Sequence, residues 1–157
     1  MKSQKGFSLV ELLIVVGVIL IISAIAVPSF LRSRMRANEG SAVASIRMID
    51  AAAATYSISY PDLGFPTDLT FLGGAEPCTS SSTTACLIDD TLAHSAKSGY
   101  AFVWVGDGAT PSVSFTITSA PLMPGSTGQS TYCSDQTALI HFDPSGAACT
   151  SASPSIQ

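Results

Sequence analysis

Residues 5–30 read KGFSLVELLIVVGVILIISAIAVPSF, and the character of the whole chain turns on them. From Leu12 to Leu31 no side chain carries a charge. As a helix that run reaches about 30 Å, the hydrocarbon thickness of a bilayer. A polar leader, residues 1–6, precedes it with Lys2 and Lys5, and Arg32, Arg34 and Arg36 follow it. A single carboxylate, Glu11, stands at its front. An ionised side chain there costs about 2–3 kcal/mol in a membrane unless it gains a partner. Pro28 lies inside the run; it has no amide donor and crowds the carbonyl of Ala24, so a helix break, as a kink or a locally melted turn, is expected around residues 24–28.

Three readings fit these residues. One is a plain membrane anchor. Another is a secretory signal, with Lys2 and Lys5 as its basic region, Leu12 to Ile22 as its apolar core and Ala24-Ile25-Ala26 as an A-x-A cleavage site that would leave Val27 first. Glu11 and the continuation of the run through Phe30-Leu31 speak against it. The third keeps the apolar segment and gives the acid a role. Basic residues flank both ends, so the positive-inside rule barely separates the two orientations.

Beyond Leu31 the helix is expected to continue to about Ser59, giving one element over residues 7–60 whose front, 7–31, is the membrane part. Val43, Ile46, Ile49, Ala53 and Tyr56 recur at spacings of three and four, a stripe suited to packing on a C-terminal domain, and Pro61 closes the element. Residues 61–98 read as loop with short helical pieces. The period then becomes two. YAFVWV (100–105) and VSFTIT (113–118) form an expected hairpin, and STYC with ALIHF (138–142) a weaker second pair. The fold class is α+β: a long N-terminal helix whose back half packs on an antiparallel sheet of three or four strands within residues 61–157. Phe102, Trp104, Phe115, Ile117, Ile140 and Phe142 are the candidate core of that domain, and the tail TSASPSIQ reads as frayed.

From Asp50 onward nine acids face one basic residue, Lys97, in a chain of 157 residues with net charge −4. A surface of that sign offers phosphates nothing, so nucleic acid is not an expected partner of the acidic domain. The four cysteines, Cys78, Cys86, Cys133 and Cys149, form no C-x-x-C pair, and His94 and His141 complete no zinc spacing. An even count beside a membrane segment points to disulfides in an oxidising compartment, which places the C-terminal part outside. Three connectivities are open; Cys78–Cys86 with Cys133–Cys149 closes two local loops and is preferred.

The N-terminal third resembles the type IV pilins and the pseudopilins of type II secretion. The features that carry the resemblance are Gly6 ending a short basic leader, Phe7 after it, Glu11 as the fifth residue from Phe7 and Pro28 as the twenty-second. The resemblance implies cleavage between Gly6 and Phe7 by a prepilin peptidase and N-methylation of Phe7. It also implies an inner-membrane precursor and helical self-assembly into an extracellular filament, or into a periplasmic pseudopilus. An assembly ATPase and a platform protein are the implied machinery. Glu11 of one copy would then meet the new Phe7 amine of another, an ion pair that sets register. Major pilin, minor pilin or type II secretion pseudopilin, and a membrane-anchored or secreted binding module, stay open as alternatives.

Enzymatic chemistry is not expected. His141 and Asp143 lie two apart, but no G-x-S-x-G accompanies them. Asp89, Asp90 and Asp107 fall short of a calcium cage. Phe7, Phe30, Tyr56 and Tyr60 are too few for an electron path. Neither a cofactor nor a metal is expected, and no N-x-[ST] sequon occurs.

Overall fold

The computed structural model describes residues 7–156, so the leader and its Gly6 lie outside the described residues. Helix α1 spans Leu9–Ser59 without interruption. No melted turn interrupts the helix at Pro28, which sits within the continuous element. Proline's fixed φ is itself helical, and the hydrogen bonds on either side persist when one donor is lost. The helix ends as anticipated, with Tyr60 N donating to Tyr56 O at 2.9 Å just before Pro61.

By packing, the chain divides inside α1 into residues Met1–Arg34 and Met35–Gln157. In the first unit every described residue is exposed except the half-buried Gly17 and Ser23. In the second, α1 buries Ala42, Ser45, Ile46, Ile49, Asp50, Ala52, Ala53 and Tyr56. These include most of the expected stripe; Val43 is half-buried against the same core.

Two short helical pieces follow, the 3-10 turn Leu69–Leu72 and α2, Asp90–Ala93. Asp68 and Asp89 start them by accepting the amides of Thr70 and Leu92. The sheet has five strands, one more than the upper expectation, in the order β1 (Ala96–Lys97), β2 (Tyr100–Gly106), β3 (Phe115–Pro121), β4 (Thr131–Asp135) and β5 (His141–Asp143). All neighbours are antiparallel. The extra strand, β1, is two residues long, too short for any period to announce it.

Trp104 lies opposite Ile117 and Phe102 opposite Ser119, so the inward faces of β2 and β3 alternate as a one-sided sheet should. Phe102, Phe115, Ile117 and Ile140 join Ile46, Ile49 and Tyr56 in one buried cluster. Trp104 and Phe142 are only half-buried beside it. Trp104 stacks on Phe115 with ring centroids 4.3 Å apart and donates its indole N–H to Pro66 O at 2.9 Å, which satisfies the one polar atom it carries inward.

The tail is not frayed. Phe142 N donates to Pro154 O at 2.9 Å and Ile156 N to Ile140 O at 2.8 Å, so residues 153–156 lie along the free edge of β5. Ile156 packs on the core and anchors them. Disulfides join Cys78 to Cys86 and Cys133 to Cys149, with Cα–Cα distances of 6.0 and 5.7 Å. The second ties β4 to the segment leading into that tail.

The first turns of α1 within this unit clamp the loop after β3. Asn38 Nδ2 donates to Thr127 O at 2.8 Å, and Glu39 Oε1 accepts from Gln129 N at 2.9 Å. Replacing Glu39 by Ala is expected to cost about 1 kcal/mol. Amide exchange at Gln129 and Ser130 should accelerate while the β2–β3 amides are unchanged, which hydrogen-exchange NMR would read.

Candidate assembly segment

Residues 9–31 hold the largest apolar surface in the chain. Leu13 is 63% exposed, Ile21 66%, Ile25 75% and Phe30 67%. Its most apolar window has mean hydropathy 3.0, with none of it buried within the chain. Monomeric soluble proteins do not expose continuous apolar surface on this scale, so lipid or other protein must cover it. Branched Val and Ile pack well in such a helix because each keeps one rotamer, and Gly17 leaves a point of close approach.

At its mouth the structure adds something not anticipated from spacing. Ser8 precedes the helix and its amide donates to Glu11 Oε2 at 3.0 Å, while Leu12 N donates to Ser8 O at 3.2 Å. This is the backbone half of a capping box, and S-x-x-E at residues 8–11 was its signal in the sequence. The carboxylate also lies in the first turn, where the helix dipole favours a negative charge. In the single chain, then, Glu11 is exposed and held by its own helix rather than awaiting a partner with nothing to bind. Phe7 is 80% exposed beside it.

The other candidates are dispersed into structural duties. His141 Nδ1 lies 2.6 Å from Ser153 O and ties β5 to the tail, and Asp143 Oδ1 accepts from Ser145 N at 2.8 Å within its own turn. Asp89 receives Lys97 Nζ at 2.6 Å. Asp107 Oδ2 accepts the amides of Val113 and Ser114 at 2.9 and 3.0 Å and its Oδ1 that of Ala109, and those three amides hold its carboxyl well below the usual range. Among the described residues no three of His, Cys, Asp and Glu converge to hold a metal ion. The Tyr56 and Tyr60 rings meet at a tilt at the end of the helix, centroids 4.9 Å apart, and Tyr56 Oη donates to Ser82 O at 2.6 Å.

One polar site was missed entirely. Asp50 lies in the buried stripe of α1, 6% exposed, and receives Ser134 Oγ from β4 on Oδ2 at 2.8 Å. Its other oxygen, Oδ1, has no partner. Desolvation pushes its pKa up to about 6; the Ser134 bond opposes this and the nearby Asp135 adds to it.

A family model described as the prokaryotic N-terminal methylation motif matches residues 1–27. The chain is 49% identical over 39 residues to the major component of the type IV wide pilus of Thermus thermophilus, covering 25% of this chain and 30% of that one. It is 36% identical over 88 residues to a fimbrial protein of Pseudomonas aeruginosa, covering 48% and 56%. The chain thus spans between 30% and 56% of the length of the curated relatives it matches. No solved structure matches it.

Proposed function

We propose that this chain is the structural subunit of a type IV pilus-like surface filament, held in the inner membrane as a precursor and assembled through residues 7–31. The observation that carries the reading is the bare apolar helix with one acid in its first turn, matched at residues 1–27 by the methylation motif. Hydrolysis of the Gly6–Phe7 amide releases the leader and makes a cationic amine at Phe7, which a methyl donor then alkylates. In the precursor that position is a neutral amide, and among the described residues Glu11 accepts from the Ser8 amide alone. After cleavage a neighbour's amine competes for the same oxygen, and charge-assisted pairing in a lipid-like interior outweighs the capping bond. Sister helices replace lipid around the apolar run, and Glu11 with the amine of Phe7 sets their axial offset. A peptidase, an assembly ATPase and a platform protein are the partners this requires.

Intact mass with N-terminal sequencing of the membrane-fraction protein tests the processing. A methylated Phe7 start is expected. Val27 would mean an ordinary signal peptide and Met1 a plain anchor, and either would overturn the reading. Electron microscopy of sheared surface material should then show long filaments of this subunit. Their absence, with failed export of secreted proteins, would assign it to a pseudopilus instead.

A further inference from the structure

Three loops of the C-terminal unit meet beside the end of α1: residues 61–67 after the helix, the disulfide loop 78–86, and residues 107–114 between β2 and β3. Between them lies an open cleft of about 300 Å³. That volume is at the lower end for small-molecule sites, room for a single ring. Tyr56, Phe65 and Phe71, buried or half-buried, give it an aromatic floor. Thr67, Ser82 and Thr110 line its more open rim with hydroxyls. No charged side chain lines it, although another surface hollow beside the same β2–β3 loop holds Asp107 and Asp135.

The loops are pinned to one another. Phe65 N donates to Ser112 O at 3.0 Å and Ser112 N to Leu63 O at 2.8 Å, which joins the first loop to the third. Tyr56 Oη donates to Ser82 O at 2.6 Å, Ala85 N donates to Phe71 O at 2.7 Å, and the Cys78–Cys86 bridge closes the second loop. The cleft is thus formed before a ligand arrives, and little ordering cost opposes binding.

Its chemistry is selective. Ser82 O takes the Tyr56 hydroxyl, so the three aromatic side chains offer carbon surface alone. The hydroxyls of Thr67, Ser82 and Thr110 hold no hydrogen bond among the described residues. A purely apolar ligand would strip water from those hydroxyls and return nothing. An anion would meet negative charge, because Asp68 follows Thr67 and Asp107 precedes Ala109, and hydrogen bonds from their own loops keep both acids ionised. A cation finds no carboxylate in the lining. What fits is a neutral molecule with hydroxyls around its edge and C–H bonds on its face. The slightly positive C–H groups of such a face suit the negative faces of aromatic rings.

We propose that this cleft binds one pyranose ring of a neutral saccharide, its C–H face over Phe65 and Phe71 and its hydroxyls shared with Thr67, Ser82 and Thr110. All of these residues belong to the unit Met35–Gln157, so the binding is a property of the single subunit and does not depend on assembly.

The test is an NMR titration of the isotope-labelled full chain in phosphatidylcholine nanodiscs, which contain no sugar. The probes are the methyl glycosides of glucose, galactose and mannose. At least one should move the amides of Thr67, Thr83 and Ala109 saturably, with a dissociation constant in the millimolar range, and its ring protons should receive saturation from the aromatic side chains. Thr110→Val removes one exposed hydroxyl and Phe71→Leu one aromatic face. Each should weaken binding by about fivefold, and the Thr110 variant should keep the parent's melting temperature. Glucuronic acid, which is charged, and cyclohexanol, which lacks the ring of hydroxyls, should bind more weakly than the best glycoside by at least that factor. The proposal fails if none of the three glycosides gives a saturable shift, or if the shifts fall on another face. Cyclohexanol binding as tightly as the sugars, or unchanged affinity in both variants, would also overturn it.

Discussion

Glu11→Gln will leave the precursor in the membrane with its helix start intact and lower filament yield by about a hundredfold or more, the scale expected when one partner of a buried ion pair is removed. Glutamine can still accept the Ser8 amide that Glu11 accepts at 3.0 Å, because a capping box takes either residue at its third position. The substitution therefore separates two roles that Glu11→Ala removes together. Sheared-filament yield and the amount of processed subunit left in the membrane are the readouts. If the Gln variant assembles as well as the parent and only the Ala variant fails, Glu11 serves as a helix cap and the register pairing with Phe7 is wrong.

Asp50→Asn gives the second large effect, and its sign depends on pH. The folded-state pKa of Asp50 is raised from 3.8 to about 6. A group raised on folding contributes no penalty below its unfolded pKa, where both states hold the proton; above the folded pKa the folded state must bury the charge. The penalty therefore grows from about pH 4 to pH 6 and then levels at about 2–3 kcal/mol, because each tenfold change in proton affinity is worth roughly 1.4 kcal/mol. Asparagine cannot ionise. Its melting temperature should match the parent's near pH 4, exceed it increasingly up to about pH 6, and keep that margin at pH 7. Asp68, Asp89, Asp107 and Asp143 shift downward and impose the opposite slope on both proteins, so the difference between variant and parent is what isolates Asp50. A constant difference across that range would mean that Asp50 is not a buried titrating group.

Long, regular elements were legible because their physics is local. The helix end near Ser59 follows from Pro61, and YAFVWV is strand nearly to the residue. The misses have side-chain causes. The VSFTIT strand starts late, at Phe115, because Asp107 takes the amides of Val113 and Ser114 that a ladder would otherwise use. The last strand shortens to His141–Asp143 because Asp135 closes a turn on Thr137 and Ala138 adopts φ 57°. Tail docking hung on one apolar residue, Ile156, in a polar stretch, and no periodicity marks a single anchor. Asp50 escaped notice because it sits beside Ile49 in a stripe defined by its apolar members. In the candidate assembly segment, spacing singled out Phe7, Glu11 and Pro28. It did not show the continuity of the helix through Pro28, because one missing donor decides nothing when the turns around it are intact.

The docked strip over residues 153–156 has a practical side for anyone who would decorate this protein. A peptide or fluorescent domain appended after Gln157 would pull on the strip that shields the sheet's last edge, and an uncovered edge invites pairing between molecules. The bend around Gly108 is a safer port: a side chain built there meets nothing within 4 Å, and the neighbouring backbone is organised by Asp107 rather than by the core. Cargo placed in that bend should be carried on an undisturbed subunit, whereas the same cargo at the tail should yield clumped material.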